Sequence, residues 1–214
     1  AWGIRVVIGG SSYDWFGYGA GGVAYLNSFN WSNDTPTFVF EDQLGNGYVK
    51  YTSEAISHEV GHTLGLSHDG RTSPSEGYYS GHGSGDTGWA PIMGSGYYKN
   101  VTQWSQGEYL NANNTQDDLA IITSNNGFGY RADDYGNNNG SASTLSVSTT
   151  TVNDSGVIER NTDVDVFTFS IQAGTINLTI NPADLGPNLD ILAELYDSSG
   201  NLIASSNPST LLSA

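Results

Sequence analysis

Three of the four histidines of this 214-residue chain fall within eleven residues, at positions 58, 62 and 68, with Glu59 and Gly65 among them. No other feature restricts the local fold so strongly. Histidines four residues apart stand on one face of an α-helix, so His58 and His62 ask for a helix here. The spacing of Ile56, Val60 and Leu64 predicts that helix over Thr52–Leu64, with these three residues along one apolar face. Thr52 or Ser53 can cap its start, and Glu54 suits its first turn. Gly65 suits its end, because glycine enters positive φ without steric cost; a turn there swings the chain back and brings His68 toward the other two.

The chain has no cysteine, which excludes disulfides, thiol nucleophiles and thiolate metal ligands. A tight transition-metal site must then use imidazole and carboxylate. Zinc takes imidazole nitrogen at about 2.0–2.1 Å in tetrahedral geometry. His58, His62 and His68 fill three positions and leave a fourth for water, which marks a catalytic zinc site and not a closed structural one. Glu59 sits beside the first ligand, where its carboxylate can reach that water without ligating the metal. Zinc lowers the pKa of its water toward ~7, so Glu59 can take the proton as the water attacks a carbonyl. The same Glu59 can then hand the proton to the leaving amine, while zinc holds the developing oxyanion. The competing reading is that these histidines only cap or line a helix face.

Residues 1–128 are aromatic and glycine-rich, with mixed strand and helix signals. Ile4–Ile8 reads as a strand buried on both faces, and Gly22–Leu26 and Thr37–Glu41 as two more. Gly70–Gly96 is a long loop dense in Gly, Ser and Tyr, and loops of that length in a compact domain are usually functional. Ser105-Gln-Gly-Glu108 matches a capping box and predicts a short helix start; Thr115–Thr123 predicts another helix, with Asp117 and Asp118 in its first turn. Residues 129–143 form a polar linker. Beyond it the period becomes two, at Asp165–Ser170, Thr175–Ile180 and Ile191–Tyr196, so residues 144–214 read as a small all-β sandwich module. That module lacks a closing strand before Ala214 and is expected to be truncated.

The eleven-residue run resembles the metzincin clan of zinc endopeptidases, whose signature H-E-x-x-H-x-x-G-x-x-H is followed by a Met-turn. Ala90-Pro91-Ile92-Met93-Gly94 supplies the second half, and Met93 is the sole methionine. The resemblance implies that Met93 forms an apolar base beneath the three ligands; a generic core residue is the alternative. Asp69, directly after the third histidine, is similar to the adamalysin (reprolysin) pattern, and bacterial reprolysin-like proteases compare better than the disulfide-bonded animal members. Astacins and serralysins carry a further Tyr ligand two residues past the Met. That position here is Ser95, and Tyr97 and Tyr98 read as a cleft wall or loop packing. The resemblance implies a twisted, mostly parallel sheet with one antiparallel edge, which places Gly22, Val23, Ala24 and Tyr25 on an edge strand that an extended substrate can join; an ordinary capped sheet edge competes. The family's first strand, helix and second strand have no counterpart before Ala1. The tail resembles the bacterial pre-peptidase C-terminal domain through Asp133-Asp134-Tyr135-Gly136-Asn137, Asp163-Val-Asp165-Val-Phe167 and Leu189-Asp190-Ile191.

The expected fold is therefore an α+β metzincin-like catalytic domain over 1–128, a mixed twisted sheet plus zinc-binding helix that is N-terminally incomplete, followed by the truncated sandwich. The expected activity is zinc-dependent endoproteolysis; the alternative is a non-catalytic secreted adhesion or binding protein on a relic metzincin scaffold. The intact Glu59 favours catalysis. A net charge of −16 makes nucleic acid a poor partner, and no apolar run approaches the ~20 residues of a membrane span. A protein or peptide substrate and a monomer are expected. The start at Ala1-Trp2 implies a removed leader or an excised segment, and the acidic, lysine-poor composition points to bacterial secretion. One Zn²⁺ is expected. Asp133/Asp134 and Asp163/Asp165 offer the oxygen ligands that Ca²⁺ prefers, although no EF-hand spacing is present and solvated acidic loops compete. His82, in Gly81-His-Gly-Ser-Gly85, reads as an exposed loop residue, and no G-x-S-x-G supports a serine hydrolase.

Overall fold

Val6–Ile8 (β1), Gly22–Val23 (β2) and Thr37–Val39 (β3) make one sheet in the order β1-β3-β2, separated in sequence by the short helix Ser12–Trp15 (α1). The computed structural model describes residues 3–146 and 151–214, so the Ala1-Trp2 start lies outside the described residues. β1 runs parallel to β3, and β2 runs antiparallel to it at the sheet edge. The strands are shorter than the residue pattern suggests. Val7 and Ile8 are 41% and 50% exposed, so β1 is not buried on both faces as expected. β2 stops at Val23, because the chain turns over Tyr25–Ser28, where Ser28 N–H donates to the Tyr25 carbonyl and Asn27 takes φ +60°.

Helix α2 spans Val49–Thr63 and begins three residues before the expected start. Tyr48 is its N-cap and offers no side-chain bond, so neither Thr52 nor Ser53 caps it. No glycine or proline intervenes between Gly47 and Gly61 to stop the helix running back to Val49. Lys50 and Glu54 pair across one turn at 2.6 Å, and Thr102 Oγ1 donates to Glu54 at 2.8 Å. The end follows the expected logic. Gly65 takes φ +107°, its N–H donates to the His62 carbonyl at 3.0 Å, and Leu66 N–H donates to Gly61 at 3.1 Å. This is the paired closure of a Schellman motif.

The helix has two buried faces where one was expected. Ala55, with Ile56 and Tyr51 beside it, packs on Val39 and Leu44 of the sheet side. Leu64, with Val60 beside it, joins Leu66, Met93 and Ile122 in a second cluster flanked by Trp104. Each fully buried side chain of this size stabilises the fold by roughly 1.5–3 kcal/mol. The long loop after His68 carries a hairpin, Arg71–Thr72 (β4) with Ser75–Glu76 (β5), then Trp89–Pro91 (β6), which pairs in parallel with Val101–Gln103 (β7).

No helix follows Ser105. Its hydroxyl donates to Glu108 at 3.0 Å and accepts from Gly107 N–H at 2.9 Å, but Gly107 takes φ +79° and diverts the chain. The helix expected over Thr115–Thr123 does form, shifted to Asp118–Asn125 (α3), with Asp118 in its first turn and Asp117 as the N-cap accepting from Ala120 N–H.

The chain divides into two units, Ala1–Gly127 with Thr179–Ala214, and Phe128–Leu178. The second contains a short parallel pair, Ser143–Thr144 (β8) with Phe167–Thr168 (β9), and Tyr135 packs on Phe167 with ring centroids 4.5 Å apart. In the first unit Ala193–Tyr196 (β10) and Leu202–Ser206 (β11) form a hairpin around Asp197–Gly200, the expected turn. Asp197 Oδ1 accepts from the N–H groups of Ser199 and Asn201, both at 2.8 Å. No strand forms at 175–180, although the period-two pattern predicts one.

Candidate metal centre

Helix α2 presents His58 and His62 one turn apart, and the Gly65 turn returns the chain so that His68 joins them. The ligand-capable atoms of the three lie within 4.8 Å of one another. Ring centroids are 4.8 Å apart for His58–His62, 4.6 Å for His62–His68 and 5.2 Å for His58–His68. Two of the rings are oriented by backbone. His58 Nδ1 lies 2.9 Å from the Ile92 carbonyl and His62 Nδ1 lies 2.8 Å from the Leu66 carbonyl. A carbonyl needs a donor, so both Nδ1 atoms carry the proton and both Nε2 atoms keep their lone pairs. His62 Nε2 and His68 Nε2 are 2.9 Å apart, a contact that sets two acceptors together unless a proton or a cation lies between them. Three nitrogens on one zinc would stand about 3.3 Å apart, so the arrangement fits that ion.

The electrostatics agree with ligation. Burial, then the charge of His62, pushes His58 down to about 3 in spite of the Ile92 bond; the same two causes push His68 down to about 4. Burial also lowers His62 against its Leu66 bond. All three are neutral at pH 7, as metal ligation requires.

Glu59 follows His58 directly on α2. It is buried, and burial raises its carboxyl to about 7. Its side chain lies directly against the edge strand: a Cβ placed at Gly22 would stand 2.5 Å from Glu59 Cγ and 2.7 Å from Oε1. Of the expected edge residues, Gly22 and Val23 are in β2, whereas Ala24 and Tyr25 leave the ladder; Tyr25 is exposed and packs on Trp31 with ring centroids 5.8 Å apart.

Met93 is wholly buried, and its neighbourhood is tied to the trio by three contacts. A Cβ at Gly61, between His58 and His62 on α2, would stand 2.5 Å from Met93 Sδ. Asp69 N–H donates to the Met93 carbonyl at 2.8 Å, and the preceding Ile92 carbonyl holds His58. Asp69 itself is buried, with Oδ1 accepting from Asn114 at 3.0 Å. Ser95 N–H donates to Tyr79, and Tyr98 is exposed at the far side of Tyr51, with ring centroids 5.6 Å apart. His82 stands outside the trio and is exposed, its Nδ1 3.0 Å from the Tyr79 hydroxyl.

Two phenols flank this site. Tyr97 is half-buried, with its hydroxyl 3.3 Å from where a Gly21 Cβ would be; burial, then the Glu59 charge, pushes it up to about 12. Tyr78 packs on His68 in a tilted ring contact with centroids 4.3 Å apart, and burial followed by the Glu59 charge raises its pKa too. Sequence reasoning missed Tyr78: it is one Tyr in a Gly/Ser-rich loop, and no spacing there signals proximity to the histidines.

The described residues contain two further carboxylate clusters, Asp133/Asp134/Glu159 and Asp133/Asp163/Asp165, both in the second unit and partly exposed. No helix among the described residues is long and apolar enough to cross a membrane.

Residues 3–69 match the family model described as Metallo-peptidase family M12B Reprolysin-like, a stretch that ends on Asp69, just after the third histidine. No curated protein and no solved structure matches the chain. The match and the histidine trio together support a metallopeptidase, with a metal such as zinc as its cofactor and proteins as its substrates.

Proposed function

We propose that this chain is a zinc-dependent endopeptidase of the metzincin type, with His58, His62 and His68 as ligands, Glu59 as general base and then acid, and Met93 as the floor under the trio. The observation that carries the reading is the convergence of three neutral imidazoles, with the buried Glu59 next to His58 on the same helix, within a stretch that matches a metallopeptidase family.

Zinc bound there supplies a Lewis acid that activates water and stabilises negative charge. The remaining work belongs to the chain. A substrate strand laid against β2 brings its scissile carbonyl alongside Glu59, because Gly22 offers no side chain to hold it away. Glu59 accepts the proton of the attacking water as its oxygen adds to the carbonyl carbon and the C=O π electrons move onto oxygen; the tetrahedral species then collapses, re-forming the carbonyl and breaking the C–N bond as the same proton passes from Glu59 to the departing nitrogen. A carboxyl of raised pKa suits both halves of this exchange, and a bound dication would draw it down toward the ionised form that accepts the proton. The Ile92 and Leu66 carbonyls fix the tautomers that keep Nε2 free for the metal.

The acidic, lysine-poor composition supports bacterial secretion, and all the site groups come from one chain, which suits a monomer. The carboxylates of the second unit supply the oxygen donors that a Ca²⁺ role would need, and a tail that resembles a pre-peptidase C-terminal domain would fit a secretion or attachment role. The test is hydrolysis of casein and of a broad peptide library by the full chain. Activity removed by a zinc chelator and restored by added zinc is the expected result. A zinc-loaded chain that cleaves nothing would favour a binding protein instead.

A further inference from the structure

Resting on the peptidase reading above, we infer that the Tyr78 hydroxyl is a second oxyanion donor, bonding the carbonyl oxygen of the scissile peptide as negative charge develops there. The ring lies against two of the three ligands, with centroids 4.3 Å from His68 and 6.1 Å from His58. The tilted contact with His68 sets the ring beside the histidine trio, and the residue is 51% exposed, so its free face is open to an incoming ligand. The hydroxyl has no hydrogen-bond partner among the described residues, whereas Tyr79 meets His82 and Tyr109 donates to the Gly70 carbonyl. Tyr97, the other phenol beside Glu59, is more buried than Tyr78 and faces Gly21 of the sheet edge and not a histidine ring.

The other candidates for this role in the same unit are occupied. Lys50 holds Glu54, Arg71 holds Glu76, Arg5 holds Asp34, and Lys99 donates to the Gly83 carbonyl. No cation of that unit is left to the oxyanion, and a phenol with an ordinary pKa near 10 is a protonated donor at pH 7. One preorganised donor to a developing oxyanion is worth roughly 10²- to 10³-fold in kcat, and an exposed one less. Tyr78 comes from the loop between the third ligand and Met93, so the same loop that shapes the cleft also places this group.

The test is Tyr78→Phe in the full chain, which keeps the ring on His68 and removes only the hydroxyl. The expected result is a fall in kcat of about 10- to 100-fold with KM changed less than about twofold. Zinc stoichiometry and melting temperature should match wild type. A readout without turnover accompanies it: calorimetric affinity for a phosphinic peptide, which mimics the tetrahedral oxyanion, weakens by a similar factor, while affinity for the cleaved product peptide does not. Unchanged kcat and unchanged phosphinic-peptide affinity in Tyr78→Phe, beside an active wild type, overturn this inference alone. A zinc-loaded wild type that neither cleaves peptides nor binds the phosphinic peptide overturns the peptidase reading and this inference with it.

Discussion

Replacing Gly22 by alanine would place a Cβ 2.5 Å from Glu59 Cγ, 2.7 Å from Oε1 and 2.8 Å from Cδ. Non-bonded carbons settle about 3.5–4.0 Å apart, so the Glu59 side chain must retreat by about 1 Å. It is the end of a flexible side chain and not backbone that must give way, and Gly22 has no positive φ that alanine would strain. The cost to folding is therefore small, and the lower entropy of the unfolded alanine chain offsets it by about 0.4–1 kcal/mol. The cost to catalysis is not small: a misplacement of about 1 Å in a catalytic group can lose ~10²-fold in rate. Gly22→Ala should keep its zinc and melt within a few degrees of wild type, yet hydrolyse a quenched peptide about 10- to 100-fold more slowly. The assay pairs that rate with metal analysis and a thermal melt. Wild-type kcat in the variant would falsify the placement of Glu59 as the proton carrier. Lost zinc or a collapsed melt would show instead that Gly22 supports the fold and not the carboxylate.

Gly61→Ala weighs two opposed terms. Helix propensity favours alanine by about 1 kcal/mol, but a Cβ at 2.5 Å from Met93 Sδ and 3.1 Å from Trp104 overpacks a site that costs about 1–3 kcal/mol to disturb. A net loss of stability is expected, with denaturant titration showing that Gly61→Ala combined with Met93→Ala loses less than the sum of the two; strict additivity would contradict the contact. Asp118 is buried, and burial lifts its carboxyl to about 7 in spite of the Ser105 N–H bond. The folded state then holds a proton that the unfolded chain releases above its ordinary value near 3.9, so stability falls as pH rises between about 4 and 7. Glu59 and Asp69, raised to about 7 and about 6 by burial, add slopes of the same sign, so Asp118→Asn should reduce the slope by one carboxyl's share and melt higher than wild type at pH 8; an unchanged slope would refute the assignment. With His58 and His68 at about 3 and 4, proton competition for the ligands begins only at acid pH. Apparent zinc affinity, measured by competition with a chelator of known affinity, should therefore change little between pH 7 and about 5.5, whereas each ligand of ordinary imidazole pKa would weaken it by about tenfold at the acid end.

How much of this could be read beforehand varies with the physics involved. The α2 end was legible because it needs only local rules: a 3.6-residue period places His58 over His62, and one glycine supplies φ +107°. Its start was not, since Tyr48 caps it without any side-chain bond and leaves no compositional mark. The Ser105–Glu108 pair formed its capping contacts without a helix, because Gly107 took the chain elsewhere. The strand at 175–180 shows the converse: a period of two supplies no partner by itself. Glu59's burial against Gly22, Met93's seat under Gly61 and Tyr78's ring contact with His68 all depend on how the chain folds back on itself, and spacing carries no information on them.

The central claim is that three histidines hold a zinc ion whose chemistry depends on Glu59. Zinc stoichiometry and peptidase rate, measured together on the full chain and on its Glu59→Gln variant, test it most directly. The account predicts one zinc per chain in both proteins, chelator-sensitive hydrolysis by wild type, and a rate at least about 10²-fold lower in Glu59→Gln. Hydrolysis that persists in Glu59→Gln, or in wild type stripped of metal, would contradict it.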